Sequence, residues 1–139
     1  TTEIYTLSLH DALPIFKLFI ERMEESDILR FHEIMNEQEK AYRNDEHEKF
    51  MLVDMKLHYF IAEGARNSRL KGSVNTIYDQ IRRMAISAKD DTKVRAMAIT
   101  AHRNILRAVV NKDCEAAEKA MVEHIIEIKK VHMKKYYLL

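Results

Sequence analysis

The sequence predicts an all-α protein, an antiparallel bundle of about six helices. Only two glycines and one proline interrupt its 139 residues, and its commonest residues, which include Ala, Glu, Lys, Arg and Leu, favour helix. From Phe16 onward, apolar residues recur with the spacing of a helix that has one buried face. Hydrophobic residues make up 47% of the chain, which suits a single domain with one core.

The charge and cysteine content argue against several classes of protein. Lys and Arg number 23 against 22 Asp and Glu, and no basic block is long enough to bind a phosphate backbone, so this chain is not predicted to bind nucleic acid. The single cysteine, Cys114, cannot form an internal disulfide. No apolar run approaches the roughly 18 residues that span a bilayer. We therefore expect a cytoplasmic protein with no membrane association.

Residues 1–15 differ in character from the rest of the chain. Their Thr, Leu and Ile residues follow no helical period, and the string TTEIYTLSLHDALPI resembles the translation of a sequencing-library adapter. We expect this segment to be non-native, so that the domain spans residues 16–139 and the true gene begins further upstream. An ordinary N-terminal arm, disordered or strand-like, is the alternative.

Polar turns divide the remaining residues into the predicted helices. A short apolar stripe from Phe16 to Met23 forms the first helix, and Ser26 is predicted as the N-cap of the second. Gly64 is expected to ease the end of the third helix or to permit a close contact. The approximate ranges are 16–23, 26–42, 45–65, 67–88 and 91–110, followed after a turn at 111–113 by a sixth helix that includes Ile128.

The third helix carries the first residues that point to chemistry. Asp54 and His58 are four positions apart, so on a helix they project from one face. They share that face with apolar residues such as Leu57 and Ile61. Because a buried carboxylate loses its hydration, an aspartate on an apolar face requires a partner or a ligand.

Two further histidines have the same inward placement. His102 lies one turn from Ile105 on the fifth helix, and His124 lies between Met121 and Ile128 on the sixth. Imidazole nitrogens and a carboxylate oxygen are suitable ligands for zinc, nickel, manganese or iron, and a divalent ion would neutralise the aspartate. Taken singly, each histidine is more often a hydrogen-bonded core residue, and the aspartate could pair with an arginine instead. The remaining histidines of the domain, His32, His47 and His132, have charged neighbours and are expected to be solvated.

These residues and their separations resemble the FCD effector domain of the FadR subfamily of GntR transcription regulators. That family's pattern has an Asp-x-x-x-His pair, an asparagine-containing turn, a His in a segment like H-R-x-I-x-x-A, and a final His on the last helix. The matching residues here are Asp54 and His58, Asn67 in the turn, His102 in the segment HRNILRA, and His124. The resemblance covers about residues 16–128.

The resemblance implies a divalent metal, zinc, nickel or manganese, held by Asp54, His58, His102 and His124 beneath a pocket for a small-molecule effector. In this family the effector is often a carboxylate, which could reach open positions on the metal while an arginine binds it through two hydrogen bonds. Arg82 is our candidate for that arginine, with an exposed salt bridge as its alternative role. Asn67 is expected to be structural or to line the pocket.

The resemblance also implies parts of a longer regulator that this sequence lacks. The winged helix-turn-helix domain and the first helix of the effector domain are expected to be missing, so DNA would be contacted only through the absent domain. In the intact protein, a homodimer, the effector would alter the relative placement of two DNA-binding domains.

Two other functions remain open on sequence grounds. A metal-dependent hydrolase could use the same ligands to activate water, but no additional general base or nucleophile stands at motif spacing, so we predict that the chain is not an enzyme. A plain helical interaction module, whose polar core residues satisfy one another, is the other alternative.

Overall fold

The computed structural model describes residues 14–69, 71–72, 75–76, 79, 82–83 and 92–137, with the side chains of residues 129 and 132–137 excepted. The all-α prediction is confirmed, since no strand occurs among these residues. Between residues 68 and 83 every described residue is helical, in agreement with the predicted fourth helix, whose other residues lie outside the described ones. The continuous helices are α1 (residues 14–22), α2 (Glu25–Arg43), α3 (His47–Gly64), α4 (Thr92–Val110) and α5 (Cys114–Tyr137).

The long helices form a bundle around one main core. Short turns join α2 to α3 and α4 to α5, so each pair packs side by side with opposite directions, and α2 also contacts α4. None of the helices in the described part of the chain combines the length and the apolar character needed to cross a membrane. The main core comprises Ile15, Phe16, Phe19, Ile20, Phe31, Ile34, Met35, Val53, Leu57, Ile61, Ala62, Ala65, Ile105, Leu106, Ala108, Val109, Ala117, Met121 and Ile125.

The first residues that the structure describes, in α1, include members of this core. Ile15, one position before the predicted domain boundary, lies in α1 and keeps only 7% of its surface exposed. Residues 1–13 lie outside the described part, so the non-native origin of residues 1–15 stays a prediction.

The start of α2 differs from the sequence prediction. Glu24, not Ser26, is the N-cap, and Ser26 lies exposed within the first turn of the helix. The physical reason is the position of Asp27, whose carboxylate accepts a hydrogen bond of 2.8 Å from the backbone N–H of Glu24. An acidic residue in the first turn is also favoured by the helix dipole.

A buried arginine connects α4 to the turn between α2 and α3. The Arg95 side chain is only 7% exposed, and its Nη2 donates to the carboxylate of Asp45 at 3.0 Å and to the hydroxyl of Thr92 at 3.2 Å. Its guanidinium also lies 6.0 Å from the ring centroids of Tyr42 and Phe50, within the range of a cation–π interaction. Arg95 therefore fixes the N-terminal end of α4 against the α2–α3 turn.

Gly64 provides the close contact that the sequence suggested. A Cβ at this position would lie 2.3 Å from Cε2 and 2.4 Å from Cδ2 of Phe19. The Phe19 ring packs edge-to-face against Phe60, with centroids 5.6 Å apart, so it has little room to move aside. The absence of a side chain at Gly64 is therefore what allows α1 to rest on the end of α3.

We expect Gly64→Ala to destabilise the fold by about 1–3 kcal/mol, the usual cost of overpacking a core. Gly72→Ala is the matched control, because no atom of the described residues lies within 4 Å of a Cβ built there. At this exposed helical position alanine should stabilise by up to about 1 kcal/mol. Urea unfolding of both variants measures the difference, and equal stabilities of Gly64→Ala and the wild type would contradict the packing argument.

Candidate metal centre

Three helices direct one histidine each to a common point in the bundle. His58 comes from α3, His102 from α4 and His124 from α5, and one ring nitrogen of each lies within 4.8 Å of the others. All three are buried, with 5%, 0% and 2% of their surfaces exposed. The rings of His58 and His124 are parallel, and that of His102 stands nearly perpendicular to both. The inward placement expected from the helical spacing thus converges on a single site.

Asp54, the fourth ligand that the sequence predicted, lies beside two of these histidines. Its Oδ1 lies 3.5 Å from Nε2 of His102, and its Oδ2 lies 3.7 Å from Nε2 of His58. The Nε2 atoms of His102 and His124 are 3.2 Å apart. Four ligand atoms around a zinc ion, each about 2.1 Å from it, would be about 3.4 Å from one another in a tetrahedron. The donor atoms and their spacing therefore fit a divalent transition metal.

A glutamine that the sequence reasoning missed holds two of these residues. Gln38 on α2 has no exposed surface. Its amide nitrogen donates to Oδ1 of Asp54 at 3.1 Å, and its amide oxygen lies 2.7 Å from Nδ1 of His102. The spacing contained a signal, since Gln38 follows the buried Phe31 and Met35 at helical intervals. Because its neighbours in the run NEQEK are polar, the burial of Gln38 was not predicted.

Burial controls the protonation of the histidines. It lowers the pKa of His58 to about 4. It lowers that of His124 to about 4 as well, helped by the nearby His58 and opposed by Asp54. The pKa of His102 falls well below its ordinary value through burial and through both neighbouring imidazoles. All three rings are therefore neutral at pH 7, which is the form that binds a metal.

The same surroundings act on Asp54 in the opposite direction. Although 28% of its side chain is exposed, its carboxyl group faces the histidines, and the lost hydration raises its pKa, opposed by His124 and by the Gln38 hydrogen bond. A negative charge at this position is therefore costly. A bound cation would remove that cost, which makes the site electrostatically suited to a metal.

The two candidate effector residues lie apart from this arrangement. Arg82 is exposed and lines a cleft of about 500 Å³ with Arg30, Lys56 and Tyr59, and none of the four predicted ligands lines that cleft. Asn67 is half-buried just after α3, where its backbone carbonyl accepts from the N–H of Lys71. The effector roles of both residues stay predictions.

A groove between α4 and α5 reaches the centre from another side. It has a volume of about 320 Å³, and its lining includes His124 together with Thr100, Asn104, Glu123 and Glu127. The two glutamates give it a negative charge, which favours the approach of a cation. His124 is thus shared by the centre and by an opening to solvent.

Comparison with known proteins gives one family and several similar folds. The FCD domain family matches residues 14–127. No curated protein matches the chain at a significant level. E. coli McbR/YncC is similar with a TM-score of 0.87 at 16% identity, over 97% of this chain and 68% of that one. For Streptococcus agalactiae GntR the TM-score is 0.78 at 21% identity, over 93% and 57%.

A third similar structure is that of Lar, which controls expression of the Listeria monocytogenes agr system and mediates virulence. Its TM-score is 0.68 at 15% identity, over 94% of this chain and 64% of that one. At such identities the three likenesses concern the fold alone. The chain spans 57–68% of the length of these structures.

Proposed function

The chain belongs to the FCD domain family, and from this premise we propose that it is the metal-binding, ligand-sensing domain of a GntR-type transcription regulator of the FadR subfamily. FCD domains of such regulators bind effectors and are not enzymes. The prediction that the chain is not an enzyme is therefore confirmed, and the hydrolase alternative has no support.

One observation carries the metal-binding part of the proposal. Ring nitrogens of His58, His102 and His124, which come from three helices, lie within 4.8 Å of one another, and the two carboxylate oxygens of Asp54 lie 3.5 Å and 3.7 Å from Nε2 of His102 and of His58. The rings are neutral and the carboxyl group lacks hydration, so a divalent cation would relieve a cost that the metal-free fold carries. In the metal-free fold these groups also contact one another or Gln38, so the metal content of the protein distinguishes this proposal from a plain helical module.

The proposed chemical class of the effector rests on the chemistry of such a metal and on the family resemblance. A six-coordinate ion, nickel or manganese, retains open positions beyond four protein ligands, and zinc can expand its coordination. The metal would supply a Lewis-acidic contact for oxygen, so we propose a small carboxylate as the effector. In a homodimeric parent protein, this binding would change how two winged helix-turn-helix domains fit their DNA half-sites.

The metal content of the purified chain tests the proposal. The full chain, prepared without chelator or histidine tag, should contain about one metal ion per molecule by elemental mass spectrometry. Citrate, used as a carboxylate probe in calorimetry, should bind the metal-loaded protein and not the protein stripped with EDTA and dialysed. Folded protein that stays empty after addition of zinc, nickel and manganese would refute metal binding. Equal citrate binding by both forms would refute the role of the metal in effector binding.

A further inference from the structure

Gln38 contacts two of the four proposed ligands from a helix that supplies none of them. It lies on α2, whereas Asp54 belongs to α3 and His102 to α4. The side chain is fully buried, and each end of its amide has a single polar neighbour at hydrogen-bonding distance. A buried amide in this position restricts both neighbours, because its two ends have opposite hydrogen-bonding character.

The hydrogen bond to Asp54 fixes the orientation of the Gln38 amide. The amide nitrogen of Gln38 can only donate a hydrogen bond, and it donates to Oδ1 of Asp54 at 3.1 Å. The amide oxygen then faces Nδ1 of His102 at 2.7 Å. Because that oxygen can only accept, the proton of the neutral His102 ring must be on Nδ1. The lone pair of Nε2 is left directed toward the centre.

A consequence follows for the neighbouring imidazole. Nε2 of His102 lies 3.2 Å from Nε2 of His124, and a hydrogen bond between them requires one proton. Since Nε2 of His102 has none, His124 must donate, so its proton in the metal-free protein is on Nε2. The two rings therefore hold opposite tautomers. His102 is ready to coordinate a metal, and His124 must first move its proton off Nε2.

We propose that Gln38 is the positioning residue of the metal centre: it fixes His102 in the Nδ1–H tautomer and holds Oδ1 of Asp54, leaving Oδ2 of Asp54 and Nε2 of His102 for the metal. The inference rests on the proposed function where it concerns the metal. Partners in this outer layer fix the tautomer and orientation of ligating imidazoles, and their loss typically weakens metal affinity about 10- to 100-fold.

The metal-free wild-type chain tests the tautomers directly. Long-range proton–nitrogen NMR spectra distinguish a protonated from an unprotonated ring nitrogen. They should show His102 protonated on Nδ1 and His124 protonated on Nε2. A His102 ring protonated on Nε2 would overturn the proposal, and this measurement requires no variant to fold.

Substitutions of Gln38 and of a nearby core residue distinguish a positioning role of Gln38 from a role in packing alone. Gln38→Met keeps a similar volume but has neither the amide oxygen that accepts from Nδ1 of His102 nor the amide N–H that donates to Asp54. It should give mixed tautomers at His102 and a metal affinity about 10- to 100-fold lower. Gln38→Glu still accepts from Nδ1 and should preserve the His102 tautomer. Ile34→Val, a buried change one turn away on α2, should disturb packing without altering either readout.

The outcomes distinguish this inference from the proposed function. Metal affinity in Gln38→Met equal to that in Ile34→Val, with an unchanged His102 spectrum, would overturn the positioning role. A wild-type chain that shows the expected tautomers but binds no metal would refute the proposed function and support the role of Gln38 in fixing His102.

Discussion

His102→Ala is expected to weaken metal binding by this chain about 100- to 1000-fold. His102 is fully buried, and its Nε2 lies within 3.5 Å of both the His124 ring nitrogen and the Asp54 carboxylate, so no other side chain can take its place without a large rearrangement. Structural zinc sites bind with about 10–16 kcal/mol shared among four ligands. The loss of one ligand should then cost about 3–4 kcal/mol, which is about 100- to 1000-fold in affinity.

Elemental mass spectrometry and competition with a chelator measure this loss. His32→Ala is the matched control, since His32 lies exposed on α2 and should leave the metal content unchanged. His124→Ala and Asp54→Ala should behave like His102→Ala. Full metal occupancy in the His102 variant, with folding confirmed by circular dichroism, would show that the metal binds elsewhere.

The four proposed ligands were predictable because helical periodicity determines which side of a helix a residue occupies. Asp54 and His58 are four positions apart, and apolar neighbours mark the inward faces of His102 and His124. Periodicity assigns each residue to a face of its own helix. It does not give the rotation of one helix against another, so the meeting of three rings within 4.8 Å required the packed structure.

Gln38 and Arg82 show that the sequence does not reveal the surroundings of a side chain. Gln38 is on the buried stripe of α2, but the polar residues around it in the sequence gave no reason to single it out. Arg82 was proposed from the resemblance, and it lines an exposed cleft that none of the four proposed ligands lines, so its effector role stays a prediction. The chemistry of a side chain does not reveal which surface it faces when the tilt of its helix is unknown.

The N-cap of α2 also differs from the one that residue preferences predict. Serine is the usual capping residue, which favoured Ser26. A competing arrangement that begins two residues earlier, between the backbone of Glu24 and the carboxylate of Asp27, decides where the helix begins. Such local competition depends on side-chain geometry that residue preferences do not contain.

The metal-free protein is expected to lose several kcal/mol of stability as the pH falls from about 6.5 to about 4. Burial holds the pKa values of His58 and His124 at about 4 in the folded state, whereas the unfolded chain has the ordinary value of 6.5. Between these limits the unfolded state binds more protons than the folded one, so the free energy of unfolding decreases as the pH falls. The folded protein has its full stability above about pH 6.5, and the loss is complete below about pH 4.

The magnitude follows from the size of the two shifts. Each pKa unit corresponds to about 1.4 kcal/mol, so either histidine alone would contribute about 3 kcal/mol. Asp54 works in the opposite direction, because its raised pKa lets the folded state take up a proton before the unfolded state does. The lowered pKa of His102 adds to the loss, so the net change is expected to be a large part of the roughly 5–15 kcal/mol typical of a domain.

Urea unfolding of the EDTA-treated chain at a series of pH values measures this dependence. His124→Gln removes one of the titrating rings and should reduce the slope between pH 6.5 and 4, whereas His32→Ala, a change at an exposed histidine, should leave it unaltered. Added metal should steepen the decline, because protons and metal compete for the same nitrogens. A free energy of unfolding that stays constant across this range would mean that the three rings are not held neutral by burial, and the electrostatic argument for a metal at this site would fail with it.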